Sequence, residues 1–434
     1  HHRIWDFSIN KIMANLIIIS ILVLIIFAIT NSFKASIIGI NMISVVFGLV
    51  YYYVIKFRGT AVLAVDIFSA TTAANVAGNY NYRMSYRCYL FVILTYVLSI
   101  YVLKLDRHNL FNGKKRLISV GIAILAAVCG FSLFIQSSRF DDSLKIKMFK
   151  PQESYRKYGD YLTFTHSIRY IKGHKPEGYS EDKVEQISAQ YPGIKGNGKK
   201  PNIIMIMNEA LADFSSISDI ETNEDYMPYL HSLQNGAVNT VTGYLNVSVC
   251  GGNTANTEFE FLTGLSMYFL PTGSIPYQQY IKSEVPSLAS QLSSIGYTSV
   301  SMHPYYPKGW NRDTVYDDLG FEEKYFKDDF SNPEILRTYI SDWTTYQKII
   351  SRYEEKSSDE RLFVFDVTMQ NHGSYVKRYS NFIPDVSVVG GSGTYLKATE
   401  QYLSLIKRSD EAFKQLVEYF EKQSEPTIIM MFGD

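Results

Sequence analysis

Residues 12–31, "IMANLIIISILVLIIFAITN", carry no charged side chain and only a few polar ones. A helix needs about 20 such residues to cross the hydrocarbon core of a bilayer, and inside lipid its backbone groups must pair within the helix. Residues 36–55 and 117–136 have the same character. The run 88–103 is shorter and closes on Tyr101 and Lys104, residue types that sit at a membrane interface. Four spans are therefore expected within residues 1–137, and a signal peptide would explain only one of the four runs. Between the second and third spans, "RGTAVLAVDIFSATTAANVAGNYNY" (58–82) carries Asp66 and many small polar residues, as an interfacial or re-entrant segment would.

Charge leaves the orientation open. Lys104, Arg107, Lys114, Lys115 and Arg116 would hold the third connection on the cytoplasmic side and everything after residue 137 outside. Lys56, Arg58, Arg83, Arg87, Arg139, Lys145 and Lys147 lie on the other side. Lys and Arg balance Asp and Glu at 42 each, so net charge makes no case for nucleic acid, and no such partner is expected. Three cysteines cannot build a disulfide framework. Cys88 and Cys129 lie in apolar runs and Cys250 stands alone, so all three read as structural thiols. A chain that starts at His1 and stops at Asp434 inside an apolar strand pattern is expected to be a piece of a longer one.

Residues 138–200 form a polar connector, basic and aromatic at first and rich in Gly and Lys at its end. From 201 to 434 the pattern alternates. Short apolar runs at 202–207, 298–302, 361–368 and 426–432 read as buried parallel strands. Helical patterns separate them at 285–295, 340–356 and 395–422, the last with Tyr402, Leu403, Ile406, Phe413, Leu416 and Phe420 at helical spacing. The fold class expected is an α-helical transmembrane region followed by a layered α/β domain with a mostly parallel sheet.

In open α/β sheets, ligands bind outside the carboxyl ends of the strands. Those ends deliver Glu209 from "PNIIMIMNEA", His303 with Trp310 and Arg312 from "MHPYYPKGWNRD", His372 from "MQNHG" and Asp434 from "MMFGD". A further stretch, "CGGNTANTEFEFLTG" (250–264), sets two glycines before Thr254 and then opens a helix. Each has a plain reading alone: a helix cap, a loop histidine, a packing pair. Together they make a site. Glu209, Thr254 and Asp434 would surround a divalent cation with hard oxygens, and a metal-bound threonine hydroxyl becomes a nucleophile at neutral pH. Gly251 and Gly252 leave room for a tetrahedral phosphate before a helix N-terminus. Arg312 could grip phosphate bidentately, and His303 and His372 could donate hydrogen bonds or move protons.

These five motifs, in this order and spacing, resemble the lipoteichoic acid synthase family: membrane-anchored phosphoglycerol transferases of the alkaline phosphatase and sulfatase superfamily. The resemblance covers residues 201–434. It implies an extracellular sulfatase-like catalytic domain, Thr254 as nucleophile, and Glu209 and Asp434 as metal carboxylates with Mn²⁺ or Mg²⁺ ahead of Zn²⁺. It also implies a glycerophosphate-binding set on His303, Trp310, Arg312 and His372. The donor would be phosphatidylglycerol, and the acceptor polyglycerolphosphate or a surface glycan. In the family a histidine follows the last aspartate and completes the metal site, so a chain ending at Asp434 is expected to hold metal weakly. A lost first span would bring the four runs here to the family's usual five. Asn253 stands where lipoteichoic acid synthases have lysine, and Tyr305 where an acidic residue is expected.

Three rivals remain. A sulfatase needs a cysteine or serine in place of Thr254, with Pro and Arg following. A phosphoethanolamine transferase also uses threonine but is typically rich in disulfides. A non-catalytic, polymer-binding membrane protein would have no need to keep Thr254, Glu209 and Asp434 together.

Overall fold

The computed structural model describes residues 7–70, 82–104, 118–123, 125–127, 129–130, 144, 146, 150–171, 177–191, 200–249, 252–271 and 273–434. Three helices among these are long and apolar enough to cross a membrane: α1 (Ile9–Thr30), α2 (Phe33–Arg58) and α3 (Tyr86–Leu103). They correspond to the first three expected spans. The fourth, 117–136, is helical at the positions described between 118 and 130, and its remainder lies outside the described residues.

Two short connector helices, α4 (Pro151–Tyr158) and α5 (Asp160–Ser167), pack on the apolar ones. Asn15, a polar residue within α1, donates to Tyr158 O at 2.8 Å and accepts from Leu162 N at 3.0 Å. The junction needs Gly159, with φ of 91°, because a Cβ there would lie 2.7 Å from Asn15 Nδ2.

The same helices establish sidedness. Lys56 Nζ donates to Arg83 O at 2.8 Å and Lys34 Nζ to Leu103 O at 3.0 Å, so Arg58 and Tyr86 share one end of the bundle and Phe33 and Leu103 the other. Beyond Arg58, residues Ala61–Val65 are buried and lead into a 3₁₀ turn, Ala64–Ser69. Ser69 Oγ donates to Gln278 Oε1 at 2.9 Å, and a Cβ on Gly273 would stand 2.8 Å from Val65. The C-terminal domain thus sits at the Arg58 end, and the chain leaves α3 at Lys104 on the opposite end. Arg58 is not a free interfacial charge, because Asp66 pairs with it at 2.5 Å.

The C-terminal domain is built on a five-stranded sheet: β1 (Asn202–Asn208), β2 (Tyr297–Met302), β3 (Glu323–Tyr325), β4 (Arg361–Val367) and β5 (Thr427–Gly433). The order is β3-β2-β4-β1-β5, and every pairing is parallel. Central strands of such a sheet are covered on both faces and read as apolar runs. In β4, residues Leu362 to Val367 are at most 1% exposed, with Phe363, Phe365 and Val367 on one face and Leu362 and Val364 on the other. The edge strand β5 instead leaves Ile428 and Met430 exposed. α6 (Thr254–Thr263) and α7 (Leu288–Ser294) cover the first face. α9 (Asp342–Glu355) and α10 (Leu396–Phe420) cover the second, while α8 (Arg312–Asp318) follows β2 and adds Val315 and Tyr316 to the first core. Leu403, Ile406 and Leu416 of α10 are wholly buried, each contributing about 1.5–3 kcal/mol.

Candidate active site

The carboxyl edge of the sheet gathers the residues singled out by the sequence. β1 ends at Asn208 opposite Gly433 of β5, which sets Glu209 and Asp434 on adjacent strand ends. Ala210 N donates to Asp434 Oδ1 at 2.7 Å, and Glu209 N donates to Thr368 Oγ1 at 3.1 Å. Gly433 is required here because a Cβ would fall 2.0 Å from Leu211 O. Beneath these ends lies a closed polar network. Asn208 Nδ2 donates to Asp342 Oδ2 at 2.7 Å, and Asn371 Nδ2 donates to Asn208 Oδ1 at 2.9 Å and to Ser409 Oγ at 2.8 Å.

Thr254 is the first residue of α6. The cap is Asn253, in the left-handed region at φ 79°, after Gly252 at φ 104°. Thr254 is therefore not the cap of its own helix, and no hydrogen bond is seen at its hydroxyl among the described residues. Ala255 packs in one apolar cluster with Met207, Val367 and Phe432, near the ends of β1, β4 and β5, so α6 starts over the carboxyl edge. Space in front of Gly252 is open, as no atom lies within 4 Å of a Cβ built there. Cys250 and Gly251 lie outside the described residues.

Glu258 stands one turn on from Thr254 and is wholly buried. Arg312 Nη2 donates to its Oε1 at 2.5 Å and Nε at 3.1 Å, and Tyr316 Oη donates to its Oε2 at 2.7 Å. Burial alone would lower the pKa of Arg312, but Glu258 outweighs it and holds the guanidinium charged. Arg312 Nη1 then donates to His303 Nε2 at 3.0 Å, while His303 Nδ1 donates to Val367 O at 2.9 Å. Burial first, and Arg312 second, hold His303 well below the ordinary imidazole range, so it is a neutral ring of fixed tautomer. The bidentate fork of Arg312 is thus spent on Glu258, which leaves single N–H groups for any anion.

His372 is arranged differently. Its Nδ1 faces Gly373 O at 2.9 Å and Tyr339 Oη at 3.1 Å, and no partner is seen at Nε2 among the described residues. Arg337 Nη2 holds the loop through Gln370 O at 2.7 Å and His372 O at 2.8 Å. Tyr305, where an acidic residue was expected, is nearly buried and packs 6.0 Å from the Tyr339 ring. Trp310 is half-buried at φ 56°, next to Asn311 at φ 60°, a pair of left-handed residues immediately before Arg312. Sequence reasoning missed Glu258 as an anchor, along with Arg337, Tyr339 and Thr368. Only Glu258 left a signal, its helical i,i+4 spacing from Thr254.

Glu209 is buried, and burial pushes its carboxyl well above the usual range; Asp434 pushes the same way and Arg312 opposes. No hydrogen bond to its carboxylate is seen among the described residues. A buried carboxylate without a partner is costly to ionise. Among the described residues no three His, Cys, Asp or Glu side chains stand close enough to hold an ion by themselves. The oxygen donors that Glu209, Asp434 and Thr254 carry are of the hard type that a divalent cation prefers.

A family model described as Sulfatase matches residues 201–434. A Rhizobium meliloti protein provisionally named for cyclic beta-1,2-glucan modification is 32% identical over 333 residues, 74% of this chain and 50% of its own length. Lipoteichoic acid synthase 1 of Bacillus subtilis is 24% identical over 266 residues, 59% of this chain and 39% of its own. The chain therefore spans half or less of these relatives. The structure of the phosphoglycerol transferase GacH of Streptococcus pyogenes, in complex with sn-glycerol-1-phosphate, has 26% identity and a TM-score of 0.52, covering 60% of this chain and 70% of its own.

Proposed function

Because the chain belongs to the sulfatase family of the alkaline phosphatase superfamily, we propose that it is a membrane-bound transferase using Thr254 to move glycerophosphate from phosphatidylglycerol to a cell-surface glycan or glycerophosphate polymer. The observation that carries this reading is the Thr254 hydroxyl, without a hydrogen bond among the described residues, on the first turn of α6, at the sheet edge that also bears the buried Glu209 and the half-buried Asp434. A helix start aims free N–H groups at a phosphate, and the positive φ values at Gly252 and Asn253 turn the backbone sharply into it.

In the first step Thr254 Oγ1 gives up its proton and forms a bond to phosphorus, the bond to the diacylglycerol oxygen breaks, and that oxygen takes up a proton. In the second, an acceptor hydroxyl forms the new P–O bond, loses its proton, and Thr254 leaves and is reprotonated. His372, with Nε2 unbonded, suits the proton transfers. His303 is already engaged on both nitrogens, so it orients Arg312 and stays neutral. Arg312 offers the phosphate its remaining N–H groups. Glu209, Asp434 and the Thr254 hydroxyl would hold a divalent cation such as Mn²⁺ or Mg²⁺, which would lower the hydroxyl pKa and screen charge. The name of the Rhizobium relative favours a glycan acceptor, and that of GacH favours phosphoglycerol as the group moved.

Donor lipid and diacylglycerol both stay in the bilayer, which accounts for apolar helices on the same chain. The sheet domain would lie outside the cell, with the basic 104–116 connection inside. The test is transfer from labelled phosphatidylglycerol, and separately from labelled phosphatidylethanolamine, by the full chain in vesicles. Thr254→Ala should abolish transfer from phosphatidylglycerol. Turnover retained in that variant removes the covalent step, and transfer from phosphatidylethanolamine alone replaces the donor.

A further inference from the structure

The turn that follows α6 presents its aromatic residues to solvent. Met267 is 1% exposed and sits in the domain core, yet its neighbours Tyr268 and Phe269 are 83% and 80% exposed, with Leu265 at 54%. This is not a loose loop. Met267 N donates to Glu260 Oε1 at 2.7 Å, and Ser248 Oγ to the same oxygen at 3.1 Å, so the turn is pinned back to α6 while its aromatic side chains point away. Large apolar side chains held rigidly in the open mark an interaction surface.

Its surroundings say which one. Phe269 is four residues from Gly273, a reach of at most about 14 Å. Gly273 is where the Ala64–Ser69 turn, at the Arg58 end of the apolar helices, docks on the sheet domain. That turn itself exposes Ile67 and Phe68. The two apolar edges are thus joined through one contact to helices that cross a bilayer, and aromatic residues prefer the headgroup level of such a bilayer. The docked stretch also reaches the start of α6, since Asn256 Nδ2 donates to Ser274 O at 3.0 Å.

We infer that Leu265, Tyr268 and Phe269, with Ile67 and Phe68, form a lip that dips into the headgroup–acyl boundary of the membrane crossed by α1, α2 and α3. The lip holds the carboxyl edge of the sheet within reach of a lipid phosphodiester. Its lipid contact rests on the spanning reading of those helices, and its effect on turnover rests on the proposed transfer.

The full chain in phosphatidylglycerol vesicles tests both. Tyr268→Trp, after subtraction of the wild-type emission, should be quenched at least twofold more by lipids spin-labelled near the headgroup than Ile295→Trp. Ile295 is also exposed but lies at the amino-terminal edge of the sheet, next to β2. Equal quenching of the two, as would follow if a second copy of the chain covered the turn, overturns the lip. The double variant Tyr268→Ser/Phe269→Ser should transfer from vesicle lipid five- to tenfold more slowly, with turnover of detergent-dispersed lipid unchanged. Unchanged turnover in vesicles also overturns it. If the unmodified chain transfers from neither form of lipid, the transferase reading fails, and quenching alone decides the surface.

Discussion

Replacing Glu258 by glutamine keeps the shape of a wholly buried side chain and removes its charge. Arg312, only 3% exposed, then loses the carboxylate that receives its Nε and Nη2. Breaking a buried pair by removing one partner costs about 3–5 kcal/mol, and the amide oxygen keeps one of the contacts, so about 3 kcal/mol is expected. Part of that appears as lowered stability and part as a displaced Arg312, with His303 released behind it. If two-thirds is felt in the transition state, transfer from phosphatidylglycerol slows by roughly 30-fold. The assay is a double-mutant cycle with Arg312→Gln. Because Glu258 acts through Arg312, the double variant should transfer no more slowly than Arg312→Gln alone. Effects that multiply would refute the reasoning, as they would show independent roles for the two side chains.

Three further outcomes follow from the same geometry. His303 should be a neutral ring with the proton on Nδ1 at about pH 6.5, where an ordinary imidazole is half protonated, since burial and Arg312 both lower its pKa; ¹⁵N resonances of an imidazolium at that pH would contradict this. Asp366 is wholly buried, neither of its oxygens has a partner at hydrogen-bond geometry among the described residues, and burial followed by Asp342 raises its pKa well above the usual range, with Thr345 opposing. A raised carboxyl pKa favours the folded state at low pH and costs stability as pH rises through that window, by about 1.4 kcal/mol per unit. Asp366→Asn should therefore gain in Tm over the wild type as pH rises above about 4, whereas a pH-independent difference would contradict it. Gly433→Ala should lower stability by about 3 kcal/mol, because Leu211 O is backbone and cannot step aside, with Tm as the readout.

Strand after strand was legible because apolar runs bounded by polar residues are what a two-sided parallel sheet demands. The reading of 361–368 corresponds to β4, and 395–422 to α10. The edge strand β3 was not legible, since its three residues include Glu323 and Lys324 and carry no apolar pattern. The order of motifs pointed to the strand ends, and the structure brings Glu209, His303, Arg312, His372, Asp434 and the start of α6 to one edge of the sheet. Pairing across that edge stayed hidden. Arg312 and Glu258 are 54 positions apart, and nothing local says that the guanidinium prefers a buried carboxylate to an open site. Sidedness was hidden for a similar reason. Charge counting treats Arg58 as a free cation, while in the fold Asp66 neutralises it and the 61–69 stretch ties that end of the helices to the sheet domain.

The most direct measurement is mass spectrometry of the Thr254 peptide after brief incubation of the full chain with phosphatidylglycerol and a divalent cation, without acceptor. A glycerophosphoryl group should be found on Thr254, and it should disappear when acceptor is added. Diacylglycerol release with Thr254 unmodified, or the group on another residue, would contradict a threonine-bound intermediate.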